Sequence, residues 1–333
     1  MDLAPLTTLR LGGPAHSLVD ATTEAELVRA ASDPAALLLA GGSNVVVADA
    51  GVDGTVVRVL TRGVSVDDRG DHVVVRAAAG EPWDDLVARC VADDLVGVEC
   101  LAGIPGSTGA TPIQNVGAYG QEVADTVVAV RVLDRATGAI EELAPADCGF
   151  GYRTSAFKRT PGRWAVLDVA LRLERDAESA PIRYAELART LGVEVGARAP
   201  LAAVHEAVLA LRRGKGMVLD PGDHDTWSAG SFFTNPFVGA GELPDGAPAF
   251  AQPDGTVKTS AAWLIEQSGF HRGYGDPAGI AISSKHTLAL TNRGAGTTAE
   301  LLALAREIAG GVRGRFGVAL EPEPVFVGLA WVG

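Results

Sequence analysis

Glycine-rich segments carry the clearest chemical signal in this chain of 333 residues. Gly41-Gly42-Ser43-Asn44 stands between two β-like runs. Glycines there permit positive φ and close approach of a ligand, and successive backbone N–H groups form a nest for an anion such as a pyrophosphate. An ordinary tight turn has the same composition. Residues 103–120, GIPGSTGATPIQNVGAYG, are more unusual, with two prolines and no charge. Long connections of this kind in compact domains are often functional. The small side chains of Gly103, Gly106, Ser107, Gly109, Ala110, Gly117 and Ala118 expose backbone donors, and Gln114 and Asn115 add amide hydrogen bonds. Ile104, Ile113 and Val116 offer an apolar surface to a flat ring. A nucleotide-like flavin meets all three requirements, whereas a mobile surface loop would not need apolar residues spaced through it.

Other reactive side chains give weaker patterns. Asp220, Asp223, His224 and Asp225 resemble a metal site superficially, but one histidine among carboxylates in a Gly/Pro loop is more often solvated, and no metal ligand set is assigned. Cys90, Cys100 and Cys148 are odd in number and widely spaced, without a CxxC pair, which argues against a disulfide framework or a structural zinc. His16, His72, His205 and His271 are scattered, and none is expected to hold a flavin covalently. Taken singly, Ser231 reads as a cap or turn residue and Arg153 as half of a surface salt bridge.

The elements that must position these segments read as an α+β chain. Apolar, β-rich runs at 37–39, 45–48, 55–60, 73–79, 127–133 and 166–173 predict strands. Helices are predicted at 23–31, opened by a Thr23/Glu26 capping box, and at 82–93, with Pro82 at a first helical position. Strands and helices do not alternate regularly, and no GxGxxG joins a strand to a helix, which excludes a Rossmann dinucleotide domain. A charged, Pro-containing stretch from 176 to 200 places a boundary near 198: residues 1–198 form one domain, with subdomains of about 1–65 and 66–198, and 199–333 form a second. In that second part, helices are predicted at 201–213, 260–268 and 298–310, the last after a Thr297/Glu300 capping box, and strands at 287–291 and 325–329.

A hydrophobic fraction of 47% with 21% charged residues allows a sizeable core. The formal charge of −13 opposes nucleic acid as a partner, though local cations and backbone N–H groups can still hold a phosphorylated small molecule. Apolar runs fall far short of the ~20 residues needed to cross a bilayer, and the first residues lack a basic-then-apolar leader. A cytoplasmic protein with no indicated obligate protein partner is the expectation.

GGSN followed by GIPGSTGATPIQNVGAYGQE closely resembles the FAD-binding segments of the UDP-N-acetylenolpyruvoylglucosamine reductases. The similarity continues in chain order through YRTSAFK (152–158), AGSFFTNP (229–236) and LEPE (320–323), and so spans nearly the whole chain. The resemblance implies a vanillyl-alcohol-oxidase/PCMH-type FAD-binding domain of two subdomains followed by a smaller α+β substrate domain. It implies non-covalent FAD, held by Gly41, Gly42, Ser43, Asn44, Ile104, Pro105, Gly106, Ser107, Gly109, Ala110, Gln114, Asn115, Gly117, Ala118 and Tyr119. NADPH would be the hydride donor, and the reaction would convert UDP-N-acetylglucosamine enolpyruvate to UDP-N-acetylmuramate in peptidoglycan precursor synthesis.

By the same resemblance, Ser231 is the proton donor, Arg153 the partner of the enolpyruvyl carboxylate, and Glu323 the active-site glutamate. A serine hydroxyl is a feeble acid, yet hydride addition leaves a carbon basic enough to take its proton. The planar fork of arginine can grip two carboxylate oxygens and stabilise an enolate-like dianion. Glu321 lies two residues from Glu323 in LEPEP, so either could face the flavin. Tyr152, Tyr184, Lys215, Asn235 and His286 match substrate-facing positions, Lys215 near the diphosphate and Tyr184 on a loop that closes over the nucleotide. Another FAD oxidoreductase of the same fold, oxidising a hydroxy acid or alcohol, would share the flavin loops without needing the later motifs. A flavin- or nucleotide-sugar-binding regulator would leave Ser231 and Glu323 structural.

Overall fold

Capping chemistry sets the helix starts. Thr23 accepts the Glu26 amide through its side chain while Glu26 reaches back to the Thr23 N–H, and the helix Glu24–Ala31 follows; Thr297 and Glu300 repeat this box ahead of Thr298–Phe316. The structure, a computed structural model, describes residues 1–332. Its strands and helices form an α+β arrangement divided into two compact units. The first unit comprises Met1–Ala15, Gly42–Asp53 and Lys215 onward, and the second comprises His16–Gly41 and Gly54–Gly214.

The second unit is built on an antiparallel sheet in the order Ile140–Leu143, Val127–Asp134, Trp164–Arg175, Val73–Ala78, Val64–Asp68, with Leu95–Val96 also paired to Trp164–Arg175. Alternation along Val73–Ala78 buries Val73, Val75 and Ala77 on one face. Against that face lie Trp83, Leu86 and Val87 of the helix Trp83–Ala92, Leu187 of Ala185–Leu191, and Val204 and Val208 of Leu201–Gly214. A smaller sheet, ordered Ala15–Ala21, Val52–Val59, Leu37–Leu39, covers Leu27 and Ala31 of the helix Glu24–Ala31.

In the first unit, Val45–Val47 runs parallel to Val325–Val327, and Ile280–Ile282 pairs antiparallel with Leu290–Asn292. Phe237–Gly239, Thr256–Lys258 and Phe250–Ala251 make a third small sheet. The helices Ala261–Gln267 and Thr298–Phe316 bury Leu264, Ile265, Leu301, Ala305 and Ile308 in a core shared with Leu9, Leu11, Val46, Phe232 and Phe233.

These observations differ from expectation in the division of the chain, in the stretch 176–200 and at the end of the last helix. The units change at Gly214/Lys215, not near 198, because Val204, Val208 and Leu209 are buried with Trp83 in the second unit's core; Met1–Ala15 and Gly42–Asp53 belong with the C-terminal residues, so a 1–65 subdomain does not coincide with either unit. The stretch 176–200 contains the helix Ala185–Leu191, stopped by Gly192 at φ +70°. The last helix runs past Gly310 and Gly311 to Phe316. A Cβ on Gly311 would lie 2.4 Å from Cε2 of Phe270, so packing, not helix termination, explains that glycine.

Candidate functional site

The long glycine-rich connection is pinned along its length. Gly109 N–H donates to the Ala79 carbonyl at 2.9 Å, Thr108 N–H to Glu81 at 2.8 Å, and Trp83 N–H to Gly106 at 3.0 Å. A Cβ on Gly109 would stand 2.5 Å from the Ala79 Cβ. Gly41 approaches the same connection: a Cβ there would lie 2.5 Å from Cα of Gly106. Two segments that the sequence singles out separately thus meet backbone to backbone within the second unit. Both approaches exclude a side chain at Gly41 and Gly109, so this part of the connection is lined by backbone and small residues, a composition that suits an anion such as a pyrophosphate. Half-buried Ile104, Ile113, Ala118 and Tyr119 pack on the core beside it.

Asn115, expected among the cofactor-binding amides, has its side chain engaged inside the loop. Its Nδ2 donates to Glu122 at 2.7 Å and to the Gly151 carbonyl at 3.2 Å, and its Oδ1 accepts the Ala124 N–H at 3.1 Å. With φ +49° and 1% exposure, it shapes the loop. Downstream, Gly117–Ala118 pairs with Gln121–Glu122 across Tyr119 and Gly120, both at positive φ, a two-residue hairpin turn. Tyr119 meets Tyr184 edge-on, with ring centroids 5.4 Å apart.

Arg153 is also held at positive φ, +52°, and donates to the Gly117 carbonyl at 2.7 Å while lying 5.6 Å from the Tyr152 ring centroid. Strain at a non-glycine residue of this kind persists where surrounding structure over-determines it. Arg212, on the apolar stripe of Leu201–Gly214 four residues after Val208, shares this electrostatic environment. Burial pushes its guanidinium down to about 10; Tyr119 and Asp84 oppose that shift, and the charge of Arg153 adds to it. It remains a cation at neutral pH. The spacing 204, 208, 212, an arginine in a buried stripe, is the sequence signal that could have marked it.

In the first unit, the GSFF and LEPE segments are joined directly. Phe233 and Pro322 form an antiparallel bridge, Glu323 N–H donates to the Phe232 carbonyl at 2.8 Å, and Thr234 N–H to the Glu321 carbonyl at 3.0 Å. Phe232 N–H donates in turn to Leu288 at 2.7 Å, which ties in the turn carrying His286. Phe232 and Phe233 are 1% exposed and pack with Trp331, so the backbone on the C-terminal side of half-buried Ser231 is anchored. Glu321 is exposed, whereas Glu323 is half-buried and its amide is bonded to Phe232. The Val325 N–H donates to the Asn44 carbonyl at 2.9 Å, linking this segment to the end of GGSN.

The loop between Lys215 and Ser231 is docked on residues 283–293. Asp225, 5% exposed, accepts from Ser284 N–H at 3.0 Å, Ser284 Oγ at 2.7 Å and Arg293 at 2.7 Å. Asp223 pairs with Lys285, whose ammonium holds its carboxyl below the usual range. His224 Nδ1 lies 2.7 Å from the Arg293 carbonyl. These groups, which the sequence makes look like a cation site, have protein partners instead. Asn235 Oδ1 accepts the Ala261 N–H at 3.0 Å. Of the expected residues, the second unit carries Gly41, those from Ile104 to Tyr119, Tyr152, Arg153 and Tyr184; the first carries Gly42, Ser43, Asn44, Lys215, Ser231, Asn235, His286 and Glu323.

Residues 17–144 match the family model for an FAD binding domain, and 220–327 match that for the UDP-N-acetylenolpyruvoylglucosamine reductase C-terminal domain. A UDP-N-acetylenolpyruvoylglucosamine reductase of Streptomyces coelicolor is 58% identical over 98% of this chain and 89% of its own length. The chain belongs to the UDP-N-acetylenolpyruvoylglucosamine reductase family. Another of these reductases, from Cutibacterium acnes, is 52% identical over 98% of this chain and 89% of its own length. The crystal structure of the reductase (MurB) from Thermus caldophilus aligns with a TM-score of 0.68 at 28% identity, covering 98% of this chain and 97% of that one. Membership in the reductase family makes the chain an FAD-binding oxidoreductase of peptidoglycan precursor synthesis. Among the described residues no helix is long and apolar enough to cross a membrane.

Proposed function

We propose that the chain reduces the enolpyruvyl double bond of UDP-N-acetylglucosamine enolpyruvate to give UDP-N-acetylmuramate, with NADPH as reductant, in the cytoplasm. The observation that carries this reading is the bridge Phe233–Pro322, which holds the Ser231 and Glu323 motifs side by side. Bound FAD would supply the redox chemistry, hydride transfer from NADPH to the double bond. The converging backbones of Gly41 and Gly106, with Gly42, Ser43 and Ser107, would hold its pyrophosphate, and Ile104, Ile113 and Tyr119 would flank its ring.

The remaining work falls to side chains of the chain itself. Arg153 would grip the enolpyruvyl carboxylate with its guanidinium, oriented by its bond to the Gly117 carbonyl. Charge that develops beside that carboxylate is then met by a preorganised cation, with Arg212 adding to the local potential. Ser231 Oγ would donate its proton to the carbon adjacent to the carboxylate, so that one hydride and one proton saturate the bond. Glu323 would polarise the carboxylate region. Lys215 and Tyr184 would contact the diphosphate and nucleotide, Asn235 would offer its Nδ2 donors, and Tyr152 and His286 would complete the substrate contacts.

Anaerobic half-reactions test the reading. NADPH should bleach the yellow enzyme, and UDP-N-acetylglucosamine enolpyruvate should restore its colour. Ser231→Ala should keep the first step and lose the second, and Ser231→Cys should retain part of it because a thiol also donates a proton. Normal turnover by Ser231→Ala would overturn the assigned role.

A further inference from the structure

Thr8 lies outside every motif that bears on the reaction, yet it connects two of them. It is 4% exposed. Its amide donates to the Gly42 carbonyl at 3.0 Å, and its Oγ1 donates to the Ser228 carbonyl at 2.7 Å and more weakly, at 3.4 Å, to the same Gly42 carbonyl. Gly42, at φ +62°, sits hard against the same N-terminal segment: a Cβ there would be 2.0 Å from the Leu6 carbonyl oxygen and 2.9 Å from Thr7 Cα. On the other side, Ser228 is 6% exposed, and its Oγ accepts the Gly230 N–H at 3.2 Å. Gly230 has φ +75°, and Ser231 follows it. Gly42, Thr8, Ser228, Gly230 and Ser231 thus form one path in which every link is a hydrogen bond or a short stretch of backbone.

The path has a chemical use. Phe232 anchors Ser231 from its C-terminal side through bonds to Leu288 and Glu323. On the N-terminal side Ala229 is buried in the core and the Ser228 turn leads into Ser231, with the Thr8 hydroxyl bonded to the Ser228 carbonyl. A buried carbonyl and hydroxyl satisfy each other there, where an unpaired group would be costly. Proton transfer is steeply sensitive to the placement of its donor, and a displacement of about 1 Å can lower a rate by ~10²-fold.

We propose that Thr8 is a positioning residue for Ser231, setting the direction of its hydroxyl relative to the glycine turn at Gly42. The inference rests on the reading of Ser231 as proton donor and of Gly42 as part of the FAD site. Valine has nearly the shape of threonine, so Thr8→Val removes the hydroxyl alone and keeps the amide bond to Gly42. Ser228→Ala removes the next link, and Thr8→Ser keeps the hydroxyl.

The test separates the half-reactions. In Thr8→Val and Ser228→Ala, FAD content, the rise in Tm on adding FAD and the rate of bleaching by NADPH should match wild type. Recolouring by the enolpyruvyl nucleotide sugar should slow ~10-fold or more, with a larger solvent deuterium isotope effect as proton transfer becomes limiting. Thr8→Ser should restore both. Wild-type recolouring in Thr8→Val and Ser228→Ala, equal slowing of both half-reactions, or failure of Thr8→Ser to rescue would overturn the inference. If Thr8→Val does not fold, Ser228→Ala and Thr8→Ser decide the matter. Wild-type enzyme that bleaches with NADPH but is not recoloured by the substrate overturns the parent reading, and this inference with it, before any Thr8 variant is made.

Discussion

At the scale of single residues, the arrangement rewards side chains whose backbone is held in an uncommon conformation. Arg153 and Asn115 both adopt positive φ, and the Asn115 carbonyl lies 3.5 Å from Nη1 of Arg153, so loop and cation are built as one piece. Arg153→Ala should lower kcat by ~10²–10³ if its fork stabilises developing charge, and Arg153→Lys should recover little, since an ammonium cannot grip two oxygens in a plane. A wild-type steady-state rate in Arg153→Ala would refute the contact. The sequence motifs made Ser231, Arg153 and Glu323 legible as candidates. Thr8 was invisible because an isolated buried hydroxyl has no sequence signature: its partner is the Ser228 carbonyl, more than two hundred residues away. The side-chain bonds of Asn115 to Glu122, Gly151 and Ala124 were likewise not legible, because composition cannot say which way a side chain turns.

At the scale of elements, capping boxes and periodicity located most helices well, and failures arose where tertiary packing overrode local rules. Gly310 and Gly311 look like a helix stop, yet the helix Thr298–Phe316 passes through both. Glycine to alanine in an exposed helix interior ordinarily stabilises by up to ~1 kcal/mol. Gly310→Ala and Gly314→Ala, with open space around the new Cβ, should follow that rule. Gly311→Ala should do the reverse, destabilising by ~1–3 kcal/mol as the methyl meets Phe270. Urea titration of the three variants would check the signs, and a stabilised Gly311→Ala would contradict the packing. The strand expected at 287–291 begins at Leu290, because the Ala289 amide closes a turn on the His286 carbonyl.

At the scale of the molecule, the order of the motifs was readable but the division of the chain was not. A charged stretch at 176–200 resembles a linker, whereas the helix Leu201–Gly214 that follows it belongs to the core before it. A fragment ending at residue 198 should therefore expose the seats of Val204, Val208 and Leu209, and also leave Leu9, Leu11 and Val46 without the residues that bury them. Such a fragment should bind a hydrophobic dye and melt without a cooperative transition; a sharp calorimetric peak would show that it folds alone. Both FAD and pairing of distant segments enter the stability of the full chain, since a ligand that binds only the native state raises its unfolding free energy by mass action.

The parallel pairing of Val45–Val47 with Val325–Val327 has a kinetic meaning during biosynthesis. At ~5–20 residues per second, tens of seconds of translation separate the two strands. The early strand and the glycine turn before it must wait, unpaired with their partner, until residues 325–327 have emerged from the ribosome. Refolding from denaturant, where both ends are present at once, should therefore aggregate less at Val45–Val47 than a stalled nascent chain does, and chaperone dependence should fall sharply once residue 327 has emerged.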